Sequence, residues 1–263
     1  MTTSTEIADL RRIVRGATLP AFLFAIWWAA FHFEWTDTVM FVPIGKVWET
    51  AVRLSDNGYL WRSLGASLAR DLAGFALGST IGFAAGIALG LSRLLENLVG
   101  PTLHTIKQIS LFAWIPLISV WFGLGDTAKV VFLSLAAFFP VVLNTFEGIR
   151  SVPRELIEVG RVFALTPLQM LRRVVLPAAL PSIFAGVHLA LIYAWLATLG
   201  AEYLLTSGIG IGNLLTDGRE HLWMDQVLLG IVVVGFVGFA LNLVATRIES
   251  RLLRWRGTST GQY

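Results

Sequence analysis

The sequence predicts an all-α fold: a polytopic membrane protein of six transmembrane helices, with a helical loop at one membrane face. Three observations carry this. Of the 263 residues, 56% are hydrophobic and only 14% charged, with a mean hydropathy of +0.71; ordinary soluble chains carry about 25% charged residues. The apolar residues fall in runs long enough for helices that need about 17–25 residues to cross a bilayer. The most charged long segment between such runs, 149–181, carries helix punctuation. The ten tryptophans suit a membrane protein, since Trp favours the headgroup interface. The absence of cysteine excludes disulfides, thiolate metal sites and cysteine nucleophiles.

In chain order, residues 1–62 form an N-terminal segment. Its polar start holds Arg11, Arg12 and Arg15, and a first span follows at about 17–33. Phe33-Glu34-Trp35 offers no small-x-small cleavage site, so the run reads as an uncleaved span. Residues 47–54 and 59–64 are expected to lie as amphipathic helices on the membrane interface. The core, 63–246, begins with a span at 72–91 that carries Gly74, Gly78, Gly82, Gly86 and Gly90. Missing side chains let a neighbouring backbone come close, which drives helix association in lipid. A four-residue step advances about 40° around a helix, so the stripe is expected to wind and face different neighbours at its two ends.

The third span is expected at 101–122, kinked at Pro116, with His104 and Lys107 in its early turns. A fourth lies at 130–146 with Pro140 inside, a fifth at 182–201 ending at Glu202, and a sixth at 226–246. Between the last two, Gly208, Gly210 and Gly212 form a GxGxG that is no dinucleotide fingerprint, because no βαβ unit surrounds it. A basic tail, 247–263, closes the chain.

The loop at 147–181 separates spans four and five. Pro153 suits the first position of a short helix. Thr166 as N-cap, Pro167 and Gln169 spell a capping box for a second. Leu176-Pro177 is expected to stop that second helix. The positive-inside rule sets its side. Arg11, Arg12, Arg15, Arg93, Arg150, Arg154, Arg161, Arg172, Arg173, Arg247, Arg251, Arg254 and Arg256 share one face, against Lys46, Arg53, Arg62, Lys129 and Arg219 on the other. Both termini and the loop are therefore expected in the cytoplasm.

No catalytic set is present. The chain has no GxxxxGK[ST], so it carries no phosphate-binding loop of its own. No metal-ligand spacing links its four histidines, and no cofactor is expected. Ionisable groups near spans are costly and point to a pathway or gate. Lys107, His188 and Glu202 are the candidates, beside Arg70 and His104. Lys107 and His104 lie one helical turn apart near the cytoplasmic end, where they suit an anion, although snorkelling accounts for Lys107 equally well. For His188 a packing role weighs more.

Within the loop, Glu158-Val159-Gly160, Ala164, Val174 and Leu176-Pro177 fit the spacing of the "EAA" loop of bacterial ABC-importer permeases. That pattern is Glu-Ala-Ala, three residues, Gly, nine residues, Ile, any residue, Leu-Pro. Glu158, Leu176 and Pro177 match outright, whereas Val159, Gly160, Ala164 and Val174 depart from it. Further along, 67–74, Ile115-Pro116-Leu117, Trp121-Phe122-Gly123, Phe139-Pro140 and Ala201-Glu202 resemble the aliphatic sulfonate, taurine and nitrate group of these permeases. The resemblance implies a coupling role for Glu158, Val159, Gly160, Arg161, Ala164, Leu176 and Pro177. It further implies a permease homodimer in the bacterial inner membrane, two copies of a separate ATP-binding cassette ATPase, and an extracytoplasmic solute-binding protein. The implied solute is a small anion.

Other readings remain beside it. The same group includes permeases for aromatic acids and pyrimidine precursors. A secondary transporter would need a mid-span carboxylate and an internal repeat, and an intramembrane enzyme a catalytic set; neither is visible. The loop also resembles a DNA-binding hairpin in outline, but a span on each side pins it against lipid, so nucleic acid is not an expected partner.

Overall fold

The structure, a computed structural model, describes residues 42–205 and 208–252, together with Thr18 and Phe22. The expected first span, 17–33, lies outside the described residues, as does most of the tail. All regular structure among the described residues is helical.

Helix α1, Ile44–Asp56, is amphipathic. Val47, Ala51 and Leu54 pack inward, while Trp48 and Val52 face out. Gly58, at φ +71°, turns the chain directly into α2, Tyr59–Leu91. The interfacial helix expected at 59–64 is therefore the opening of α2, because nothing after the glycine interrupts helical hydrogen bonding. At about 1.5 Å per residue, the 33 residues of α2 are longer than a hydrocarbon core of about 30 Å.

The glycine stripe of α2 meets a single neighbour throughout. A Cβ at Gly74, Gly78, Gly82, Gly86 or Gly90 would collide with α5, Asp126–Arg150, from Leu133 and Ser134 through Phe138 and Thr145 to Ile149. At Gly82 the approach would be 2.8 Å from the Phe138 carbonyl oxygen, and at Gly90 2.8 Å from Ile149 Cβ. Two neighbours were expected because the stripe winds. The partner winds with it, as small-residue seams do in right-handed helix pairs. Contacts advance in the same direction along both helices, so α2 and α5 run parallel and the chain between them must cross back.

That crossing is not one kinked helix over 101–122. It is α3, Arg93–Ile106, then a 3₁₀ turn, Leu111–Trp114, leading into α4, Ile115–Phe122, with a 97° bend between the two parts. Pro116 does not kink a helix here; it occupies the first turn of α4, where its missing N–H leaves no bond unmade. Ser92 caps α3 by accepting the Leu95 amide.

Helix α6, Arg154–Val162, and α7, Pro167–Met170, form the loop; a π-helical turn, Leu171–Val175, then runs into α8, Leu176–Leu204. Leu176-Pro177 therefore begins a long helix instead of stopping a short one, because Pro177 falls in the first turn of α8. Antiparallel to α5, α8 places Gly148 against Ser182 and Gly186 against Asn144 and Pro140. Helix α9, Ile211–Glu220, and α10, Met224–Leu252, complete the chain. Among the described residues, four helices have the length and apolarity to cross a membrane, or five spans with the bent pair counted as one.

Candidate functional site

At one end of the bundle, the loop is an anchored, amphipathic ledge. Ile157, Met170 and Leu171 pack down on a cluster of Ile149, Val152, Val175, Ala179 and Ile183. Met170 lies against Gly160, whose absent side chain leaves that room. The opposite face holds five exposed apolar side chains: Leu156, Val159, Val162, Phe163 and Leu168. Val162 and Phe163 are 85% and 75% exposed, which is unusual for large apolar groups clustered on one surface. Glu158 and Arg161 are also exposed on this helix.

Two local devices shape the ledge. The capping box forms as the sequence predicts: Thr166 Oγ1 accepts from the Gln169 amide at 3.4 Å, and Gln169 Oε1 accepts from the Thr166 amide at 2.9 Å. Ala164 sits at φ +49°, in the left-handed region that disfavours a Cβ. It closes α6, with the Ala164 amide on Arg161 O at 2.9 Å and the Leu165 amide on Gly160 O at 3.1 Å. This is the position at which the resembled motif carries glycine. Leu176 packs under the ledge, and Pro177 opens the helix behind it.

At the opposite end, Glu202 is buried in a polar cluster. Its carboxylate accepts from Arg70 Nη2 at 2.5 Å, Ser67 Oγ at 2.7 Å and the Gly212 amide at 2.7 Å. Arg70 also donates to Asp126 Oδ1 at 2.7 Å and to Ile209 O at 2.6 Å. Ser67 accepts the Ile211 amide at 2.9 Å. Lys129 is fully buried within electrostatic reach of Arg70, Glu202 and Asp126. One clamp thus joins α2, α5, α8 and the start of α9. Gly210 and Gly212 are required by it, because a Cβ at either would press on Glu202. Sequence reasoning singled out Arg70 and Glu202 separately and missed Ser67, Asp126 and the purpose of the two glycines. One turn below the clamp, buried Asp71 accepts from Thr198 Oγ1 at 3.2 Å.

His188 faces α10, with Nε2 2.8 Å from Asn242 Oδ1 and Nδ1 3.3 Å from Glu249 Oε2. The structure thus places it in a contact between two spans.

Lys107 has a different setting from the one expected. It follows the last residue of α3 at the bend and lines a cavity of about 540 Å³. The other walls come from the middle of α5, including Phe139 and Leu143, and the middle of α8, including Leu189 and Tyr193. The expected position near the cytoplasmic end rested on a span beginning at 101; the helix begins at Arg93 instead, so Lys107 follows fourteen residues of helix. His104 lies apart from it, in a narrow cleft with Glu96, Leu103 and Phe146.

The chain matches the model of the family described as "Binding-protein-dependent transport system inner membrane component" over residues 78–254. It is 39% identical over 90% of its length to the putative aliphatic sulfonates transport permease protein SsuC of Escherichia coli (strain K12), covering 90% of that protein. It is 36% identical to the SsuC of Bacillus subtilis (strain 168), over 94% of this chain and 90% of that one. The bicarbonate transport system permease protein CmpB of Synechococcus elongatus is 33% identical, over 76% of this chain and 71% of that one. Among solved structures, a chain of the MetNI methionine ABC transporter in an inward-facing conformation shares the fold with a TM-score of 0.63 at 21% identity, covering 73% of this chain and 95% of that chain.

Proposed function

The chain belongs to the family of binding-protein-dependent transport system inner membrane components, and on that premise we propose that, paired with a second copy of itself, it forms the translocation path of an ATP-driven importer for a small anionic solute. It is a multi-pass inner-membrane protein. The transport core is 63–246, with the loop and both termini in the cytoplasm, as the distribution of arginines favours.

The observation that carries the coupling role is the exposed apolar crest of the ledge, Leu156, Val159, Val162, Phe163 and Leu168. Such a crest on a firmly packed base suits a groove in a partner, and a separate ATPase, in two copies, is that partner. Glu158, Val159, Gly160, Arg161 and Ala164 form its contact helix and closing turn, and Leu176-Pro177 links it to α8. ATP binding draws the ATPases together, the ledges follow, and the path opens to an extracytoplasmic binding protein. Hydrolysis resets it. The names of the relatives, which cover sulfonate and bicarbonate transport, support an anion as solute. Lys107 and Glu202 belong to the path and its outer closure, and His188 to the moving contact between α8 and α10.

Co-purification tests this directly. The chain is expressed with its ATPase, with and without residues 155–173 replaced by a flexible linker. Loss of the ATPase only from the replaced form supports docking through the ledge. Equal recovery from both forms would refute it.

A further inference from the structure

We infer that Asp71 is a proton-binding site inside the bundle: its carboxyl is a neutral acid that donates to Thr198 and ties α2 to α8 without a charge, and its proton is resident. The inference goes beyond the importer reading, and only its last test, by uptake, leans on that reading.

Two polar rungs join these helices, one helical turn apart on each. In the upper rung, Ser67 Oγ donates to Glu202 Oε1 at 2.7 Å. In the lower, Asp71 Oδ1 and Thr198 Oγ1 lie 3.2 Å apart, with Asp71 0% and Thr198 1% exposed. The two carboxyls keep different company. A guanidinium, a hydroxyl and a backbone amide donate to Glu202, and donors of that kind favour the carboxylate form. Asp71 forms no ion pair among the described residues, and its Oδ2 has no hydrogen-bond partner there. The charged groups of the packed helices near it, Arg70, Asp126, Lys129 and Glu202, belong to the clamp one turn above.

The Thr198 hydroxyl decides the protonation. Its Oγ1 is 3.2 Å from Asp71 Oδ1 and 3.1 Å from the Ala194 carbonyl oxygen. A hydroxyl has one hydrogen and two lone pairs, and a carboxylate can only accept. Beside a carboxylate, therefore, that hydrogen serves one neighbour and leaves the other contact without a proton. Beside an acid both contacts are hydrogen bonds: the Asp71 O–H donates to Thr198 Oγ1, and Thr198 donates to the Ala194 carbonyl. Oδ2 is then a neutral carbonyl oxygen, whose burial without a partner costs far less than burial of an ionised carboxylate. A hard metal cation would also neutralise the charge, but it collects about six or more oxygen ligands, and no cluster of three or more metal-ligating side chains occurs among the described residues. A proton needs one oxygen and one acceptor. The clamp holds α2 and α8 together one turn away, which seals the acid from water and keeps its proton in place.

The test compares the wild type with Asp71→Asn, Asp71→Ala and Thr198→Val, each purified with its ATPase in lipid nanodiscs at neutral pH. The infrared difference spectrum of wild type minus Asp71→Asn should contain the carbonyl band of a neutral carboxylic acid and no band of an ionised carboxylate. Thr198→Val should keep the acid band but shift it, because the hydroxyl that the acid bonds is gone. In heavy water the acid band should exchange more slowly than the exposed amides. Asp71→Asn, whose amide N–H replaces the acid O–H without a charge, should match the wild type in its thermal transition. Asp71→Ala leaves Thr198 without its donor and opens a cavity, so it should lower that transition. A carboxylate band in place of the acid band, or a transition lowered as far by Asn as by Ala, would overturn the neutral acid. Should Asp71→Asn fail to fold, the comparison of wild type with Thr198→Val still decides, since an acid region that does not change would overturn it. ATP-driven uptake with the binding protein should persist in Asp71→Asn. Its loss from a variant with the wild-type thermal transition would show that the proton must leave during transport, and would overturn a resident one. A wild type that neither holds its ATPase nor transports sinks the importer reading and leaves the infrared result to decide this inference alone.

Discussion

Arg70 Nη2 and Glu202 Oε1 meet at 2.5 Å, from helices 132 residues apart in sequence, with both side chains almost completely buried. Neither group could be buried alone. An isolated ion in a low-dielectric interior is strongly destabilising, and a buried pair persists only when its remaining donors and acceptors are also satisfied. Ser67, the Gly212 amide, the Ile209 carbonyl and Asp126 supply most of those partners, while Arg70 Nε is buried without one among the described residues.

Removing one member should therefore be worse than removing both. Arg70→Met is expected to destabilise by about 3–5 kcal/mol, because it leaves the Glu202 carboxylate short of its cation. Arg70→Met with Glu202→Leu should recover a substantial part of that loss. Denaturation of the detergent-solubilised protein measures both, and additive losses would show that the pair is not coupled.

The glycine seam gives a spatially selective prediction. Gly78→Val introduces side-chain atoms against the Ser134 backbone and should destabilise by about 1–3 kcal/mol or more. Gly235→Ala, on α10, meets nothing within 4 Å and should change stability by no more than about 1 kcal/mol. Equal effects in a thermal-shift comparison would remove the seam from the account.

Ala164→Gly should stabilise the ledge by about 1 kcal/mol, since it relieves a Cβ in the left-handed region. Hydrogen exchange at Leu165 and Thr166 should slow. An unchanged or faster exchange would mean that the turn holds no such strain.

Thr166→Ala should weaken the start of α7 by about 0.5–2 kcal/mol. The loss should register as faster exchange in the amides of Leu168 and Gln169 while α2 and α5 keep their protection. Faster exchange throughout the bundle would show instead that the cap supports the whole fold.

Phe163→Asp places a charge on the exposed crest without disturbing the packed base. ATPase recovery in co-purification should fall about tenfold or more, with the thermal transition of the membrane part unchanged. Retained recovery would move the docking surface elsewhere.

What could be read from the sequence was whatever depends on near neighbours in the chain. The Thr166–Gln169 capping box spans three residues, so spacing alone specifies it. The seam in α2 announced close packing, since only a neighbouring backbone makes use of glycine at every fourth position. What lay against it did not follow, because a winding stripe does not say whether its partner winds too. Leu176-Pro177 reads as a terminator or as a first turn depending on the backbone before it, and the π-helical turn decided for the latter.

The sequence by itself determined an all-helical membrane chain with an anchored, charged loop between its spans, because hydropathy and helix capping act over a few residues. Tertiary structure alone decided that Lys107 lines a cavity with α5 and α8 and that Glu202 is held by Arg70. The first depends on a 97° bend that leaves no distinctive mark in an apolar run. The second depends on helices brought together by packing across the whole bundle. Hydropathy counts apolar residues along one dimension; where a charge is buried, and by what it is neutralised, is set by neighbours that only the folded chain supplies.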